Sequence, residues 1–214
     1  FYLDKERALR VQLGRFAHQL KAFLLLGAPR TETSQRGKHY YNSAYLISPD
    51  AKIVDVYDKM RLIPFSEYHP LAFPDVSPHS LEHPSEFTPG QRSTIFPLLH
   101  STFGVVICYE VTYPSLVRRL VRGGAQLLAN ISNDTWLVAG GEAAAAQHFS
   151  MAVLRAVENR RYLVRAATSG VSGFVDPTGR PYHLSTGEGV SVGEVFPRQE
   201  VSVYTRYGDW FAFA

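Results

Sequence analysis

Apolar residues recur along this chain in two rhythms, one helical and one of short runs. Between residues 4 and 22, Leu9, Leu13, Phe16 and Leu20 fall three or four positions apart with charges between them. That spacing predicts a helix on which the four share a face. Phe23-Leu24-Leu25-Leu26 then reads as a short buried strand stopped by Gly27 and Pro29, and residues 30 to 39 as a polar loop. Tyr41 to Ser48 alternates as a strand does. Pro49-Asp50 makes a turn, and Lys52 to Tyr57 returns as the second arm of a hairpin. Residues 58 to 68 are polar and broken by Pro64, a loop laid over a site. Residues 69 to 94 are proline-rich and without periodicity, which predicts a long irregular segment.

Downstream the runs shorten. Ile95 to Leu99 and Phe103 to Cys108 read as paired strands. Ser115 to Arg122 reads as a helix with Leu116, Val117, Leu120 and Val121 buried and with Arg118 and Arg119 in water, ended by Gly123-Gly124. Gln126 to Ile131 is a further buried strand, followed by the polar cluster Ser132 to Trp136. Strand, helix and strand in this order make a parallel crossover. A long helix is predicted from about Ala143 to Arg165, with Phe149, Ala152, Val153 and Ala156 inward and a Glu158–Arg161 pair. Arg155, Arg160, Arg161 and Arg165 read as its solvated basic face. Strands at Val164 to Ser169 and Val171 to Val175, a turn at Asp176 to Gly179, and one or two last strands up to Val203 complete the pattern. The whole is an α/β chain.

Composition adds bounds. At 214 residues, 45% hydrophobic and 19% charged, the chain can bury a sizeable core. A net charge of +3 is too mild to argue for nucleic acid, although it suits an anionic lipid surface. One cysteine excludes an internal disulfide. His79 and His83 stand four apart, but Pro78 and Pro84 argue against the helix that would make them metal ligands, so no metal and no cofactor are expected. Both ends of the chain read as cut within an element, with a rising apolar run at Trp210 to Ala214.

The candidate chemistry centres on Cys108. It ends the run Phe103-Gly104-Val105-Val106-Ile107, with Tyr109 and Glu110 next and Pro114 opening a helix. A residue at the end of such a strand sits where α/β folds build their sites, and a thiolate is a strong nucleophile. The bland alternative is an inert core cysteine. Lys59 and Glu67, eight positions apart around a Pro-Phe turn, are the second candidate pair, against a plain reading as surface charges.

Tyr57-Asp58-Lys59 with Leu62-Ile63-Pro64-Phe65-Ser66-Glu67-Tyr68 resembles the lysine loop of the nitrilase, or carbon–nitrogen hydrolase, superfamily. Ile107-Cys108-Tyr109-Glu110 resembles its nucleophile turn. Asn130 to Trp136, Gln147 to Ala152, and Arg155 to Arg161 with Arg165-Ala166 narrow the likeness to the apolipoprotein N-acyltransferases within that superfamily. Arg206 to Trp210 resembles their approach to a last transmembrane helix.

The resemblance implies a nitrilase-like four-layer α-β-β-α sandwich spanning residues 1–205, with its first strand missing, and a membrane-approaching segment at 206–214. It implies Cys108 as nucleophile, Lys59 as oxyanion stabiliser and Glu67 as its positioning or proton-transfer partner. Tyr109 would give a backbone N–H, with Glu110 beside it in the oxyanion and substrate region. The family's general-base glutamate, on the first strand, has no counterpart here, and neither Glu6 nor Glu32 replaces it. Trp136-Leu137-Val138-Ala139-Gly140 departs from the expected Trp-Phe-Gly form. The implied reaction moves an acyl chain from a glycerophospholipid, through a Cys108 thioester, to the α-amine of a diacylglyceryl-cysteine on an apolipoprotein. Its setting is the outer side of the bacterial inner membrane. Leu71, Phe73, Val76, Leu81 and Phe87 are the expected contacts with the bilayer. A soluble amidase or nitrilase acting on a small amide is the rival enzyme, and an inactive scaffolding domain the rival of another class.

Overall fold

The computed structural model describes residues 2–35, 37–68, 86–135 and 141–210. The His79–His83 pair, Leu71, Phe73, Val76, Leu81 and the Trp136 to Gly140 departure lie outside them, as do the last four residues. The chain forms two compact units, Phe1–Arg92 and Ser93–Ala214.

The first unit is a helix on a three-stranded antiparallel sheet. Helix α1 (Arg7–Leu20) is followed by β1 (Leu24–Ser34), β2 (Gly37–Ile47) and β3 (Ile53–Asp58), in the order β1-β2-β3. The expected polar loop at 30–39 is instead the outer half of a long hairpin, registered from Leu24↔Ile47 to Ser34↔Gly37. Its side chains are polar because that half is largely exposed, so hydrophobicity carried no strand signal there. Pro29 does not stop β1, because β1 is an edge strand of this sheet and a missing N–H is tolerated there. The α1 stripe is also rotated from the one expected. Leu9 and Leu13 pack with Leu3, Ala28 and Tyr45, but Phe16 and Leu20 are 49% and 56% exposed. Gly14 sets this rotation. A Cβ there would stand 2.8 Å from that of Ala51, so the helix meets the β2–β3 turn on its glycine and Ala17 turns inward.

The second unit is a six-stranded mixed sheet, β4 (Ile95–Leu98), β5 (Ser101–Ile107), β6 (Leu127–Ser132), β7 (Leu163–Ala167), β8 (Ser172–Val175) and β9 (Pro181–Ser185), paired in chain order. β5, β6 and β7 run parallel, and the outer strands are antiparallel. Helix α2 (Pro114–Arg122) packs on β5 with the four expected residues buried. Helix α3 (Gly141–Asn159) packs on β7, β8 and α2, with Phe149, Ala152 and Ala156 buried.

The helix expected to reach Arg165 ends at Asn159, where Arg160 takes a φ of +53° and the chain turns into β7. The expected solvated basic face is therefore wrong. Arg155, Arg161 and Arg165 are buried, and Arg155 rather than Arg161 pairs with Glu158, at 2.7 Å. Arg118, expected in water, is half-buried and donates to the carbonyls of Tyr204, Thr205 and Arg206 at the end of helix α4 (Val203–Tyr207). Between β9 and α4 the chain is irregular, so one strand follows the Asp176 turn. The 205/206 boundary falls inside α4. Among the described residues no helix is long and apolar enough to cross a membrane.

Candidate active site

In the first unit β3 ends at Asp58 and hands the chain to Lys59, whose N–H donates to Asn42 O on the neighbouring strand. Arg30 on β1 holds Asp58 with two bonds, 3.0 and 2.7 Å, and Ser43 adds a third at 2.6 Å. The lysine is thereby fixed at the sheet edge by residues from all three strands. Its side chain is 1% exposed. Nζ lies 2.8 and 2.7 Å from the two oxygens of Glu67, which also accept from Asn42 Nδ2 and the Ile63 N–H, each at 2.8 Å. Three donor groups make four hydrogen bonds to this one carboxylate, and the ion pair gives the buried lysine its counter-ion. Phe87 N–H donates to Glu67 O, and Gly90 N–H to Lys59 O, so the returning segment braces this loop. Gly90 is required there, since a Cβ would stand 2.1 Å from the carbonyl oxygen of Asp58.

In the second unit Cys108 follows β5 and begins a 3₁₀ turn, Cys108–Thr112. It is 7% exposed, with a φ of +52°. A non-glycine residue in the left-handed region persists only where its surroundings impose it, and such residues cluster at functional sites. Two buried side chains impose it. The fully buried Glu110 accepts the Ile107 N–H at 2.8 Å, ahead of the turn. Asn130 on β6 donates through Nδ2 to Val106 O at 3.0 Å and to Cys108 O at 3.4 Å. Cys108 Sγ–H donates to Asn133 O, just past the end of β6, at 3.8 Å. Tyr109 packs edge-on against Tyr113.

Behind the turn lies a polar array to which sequence reading gave no function. Val106, Asn130, Arg165 and Gly173 are register partners across β5, β6, β7 and β8. Arg165 donates to Asn130 Oδ1, to Asp134 Oδ2 at 2.6 Å and to Val171 O at 3.0 Å. Asp134 Oδ1 accepts from Ser132 at 2.6 Å and from His148 Nδ1 at 3.1 Å. His148 Nδ1 also lies 3.1 Å from a terminal nitrogen of Arg165, so the imidazole is wedged between the carboxylate and the guanidinium. Burial alone would raise the Asp134 pKa; the His148 and Ser132 hydrogen bonds and the Arg165 charge outweigh it and hold the group at about 2. Gly170, at φ +88°, lets Asp134 in, since a Cβ would meet Oδ2 at 2.5 Å. One signal was available in the sequence: Asn130 and Arg165 each interrupt an apolar strand at an inward position.

Lys59 and Glu67 are thus brought together in the first unit, and Cys108, Tyr109 and Glu110 in the second. No group of three metal-ligating side chains occurs among the described residues.

Residues 7–198 match the family model for carbon-nitrogen hydrolases. The chain is 37% identical over 218 residues to a protein of Geobacter metallireducens named apolipoprotein N-acyltransferase, covering 100% of this chain and 41% of that relative. It is 33% identical to apolipoprotein N-acyltransferase 2 of Treponema denticola, covering 92% of this chain and 38% of that one. The chain therefore spans about two fifths of the curated relatives it matches. Among solved structures it resembles yeast Nit3, of the nitrilase superfamily (TM-score 0.60, 25% identity, 86% of this chain and 63% of that one). It also resembles an amidase from Nesterenkonia sp. AN1 with an acetamide moiety covalently added at its active-site cysteine (TM-score 0.58, 22% identity, 85% and 63%). These likenesses show the nitrilase-type α/β fold. With the family model matched over most of its length, the chain belongs to the carbon-nitrogen hydrolase family.

Proposed function

We propose that this chain is the catalytic part of an apolipoprotein N-acyltransferase, with Cys108 as its nucleophile. The observation that carries the reading is the only cysteine of the chain on a left-handed turn ending a parallel strand, in a sequence 37% identical to a relative of that name. The thiolate of Cys108 attacks the ester carbonyl of a glycerophospholipid. A carbon–sulfur bond forms, and the carbonyl π electrons move to oxygen. Lys59 and the Tyr109 N–H stabilise that oxyanion. Collapse expels the lysophospholipid oxygen, which takes up the proton first removed from the thiol, and leaves a thioester. The α-amine of a diacylglyceryl apolipoprotein then attacks, loses a proton, and releases the thiolate. A general base carries the proton at each step, and neither Glu67 nor Glu110 is assigned that role. Glu67 positions Lys59, and Glu110 serves the oxyanion region from beneath, by holding the turn. The setting is the outer side of a bacterial inner membrane, where both substrates reside.

The test uses the full-length protein incubated with phospholipid. An acyl-sized mass gain on the Cys108 peptide, removed by neutral hydroxylamine and absent from Cys108→Ala, is expected. No adduct, together with hydrolysis of small amides, would replace this reading by an amidase. No adduct and no hydrolysis would leave an inactive domain.

A further inference from the structure

We propose that Arg165 is the positioning residue of the nucleophile turn, holding Cys108 from two sides through Asn130 and Asp134. The inference rests on Cys108 being the nucleophile. Along one side, Arg165 fixes Asn130 Oδ1, which leaves Nδ2 to donate to the carbonyls of Val106 and Cys108. Because an amide group is planar, fixing its oxygen also fixes where its N–H bonds point. Along the other side, Arg165 and His148 lock both oxygens of Asp134. Asp134 follows Asn133 directly, and the Asn133 carbonyl is the acceptor for Cys108 Sγ–H. The backbone and the thiol of one residue in an unfavourable conformation are thus tied to a single guanidinium, 2% exposed.

The guanidinium suits the task better than an ammonium. Its planar fork reaches Asn130, Asp134 and the Val171 carbonyl at once, in fixed directions. It acts without touching substrate, by keeping the sulfur aimed. A reaction that demands a trajectory, acyl transfer, therefore depends on it. A reaction that demands only a thiol, alkylation by a small reagent, depends on it far less.

The test compares the two reactions at Cys108 of the full-length protein in detergent. Acyl transfer from p-nitrophenyl butyrate and alkylation by iodoacetamide are both followed by the mass of the Cys108 peptide. Asn130→Asp keeps an acceptor for Arg165 but removes the donors to Cys108, cutting the link while keeping Arg165 paired. Its acylation rate should fall about 30-fold, while alkylation changes by less than about 3-fold, as expected when geometry rather than reactivity is lost. Ser132→Ala, which removes one bond to Asp134 near the surface, should lower the same ratio by about 3-fold and reports if Asn130→Asp does not fold. Thr205→Val, which breaks the buried bond to Asn159 away from the array, is the stability control and should leave the ratio unchanged. An unchanged ratio in a folded Asn130→Asp or Ser132→Ala protein, or an equal fall in Thr205→Val, would overturn the proposal. A wild-type protein alkylated but never acylated would instead sink the nucleophile assignment.

Discussion

Both carboxylate oxygens of Glu67 face the Nζ of Lys59, at 2.8 and 2.7 Å, and the lysine is almost wholly buried. Asn42 and the Ile63 N–H complete the coordination of the carboxylate, so the pair is a rigid unit and not a surface contact.

Glu67→Gln keeps the shape and removes the charge. A buried ammonium left without its counter-ion costs about 3 to 5 kcal/mol. Urea unfolding should show a loss in that range, and thioester formation at Cys108 should drop at least about 100-fold, the scale of losing an oxyanion-stabilising group. A stable and fully active variant would show that the ion pair has no part in placing Lys59.

Acid should weaken the second unit through Asp134. Its folded pKa of about 2 lies below its ordinary value of 3.8, so its stabilisation is complete above about pH 4 to 5 and disappears as pH falls through 2. At about 1.4 kcal/mol per pH unit the contribution is on the order of 2 kcal/mol. Denaturant midpoints of wild type and Asp134→Asn, measured from pH 2 to 6, should converge at the acid end and separate above pH 4. A gap independent of pH would show that the side chain contributes by shape alone.

Gly90→Ala should destabilise the lysine loop without touching a charge. Its Cβ would overlap the Asp58 carbonyl, which is backbone and cannot rotate away. Overpacking of this kind costs about 1 to 3 kcal/mol, and the shift falls on the residue next to Lys59. Calorimetry and the acylation assay should therefore register losses together.

Arg161 fastens the segment after β9. Its guanidinium donates to Ala125 O at 2.9 Å and to Glu200 O at 2.7 Å. Arg161→Met leaves the buried Ala125 carbonyl without this donor, at about 1 to 3 kcal/mol, and frees the Glu200 carbonyl. Limited proteolysis should first cut the variant between residues 186 and 202, with the wild type resistant under the same conditions. Cleavage elsewhere first would show that other contacts hold this segment.

Where periodicity and burial coincide, the sequence sufficed. Leu116, Val117, Leu120 and Val121 form a helix stripe in the chain as they do on paper, and the strand–turn–helix around Cys108 follows from an apolar run, an abrupt end and a proline. Burial failed as a guide where strands are exposed, as in the hairpin from Arg30 to Asn42, and where a close glycine contact rotates a helix, as at Gly14. For the candidate site, the groups present were legible on paper: one thiol, one lysine loop and one glutamate eight residues on. Their kinship with the carbon-nitrogen hydrolases was also visible there.

It took the folded chain to show that three of the four arginines between 155 and 165 are buried, and that Arg165 on β7 reaches Asn130 on the neighbouring β6 and Asp134 just past the end of β6. A charge inside a fold is tolerated only where partners meet it, and for Arg161 and Arg165 those partners come from distant segments. Strand register, which no local pattern encodes, brings Val106, Asn130 and Arg165 into one row.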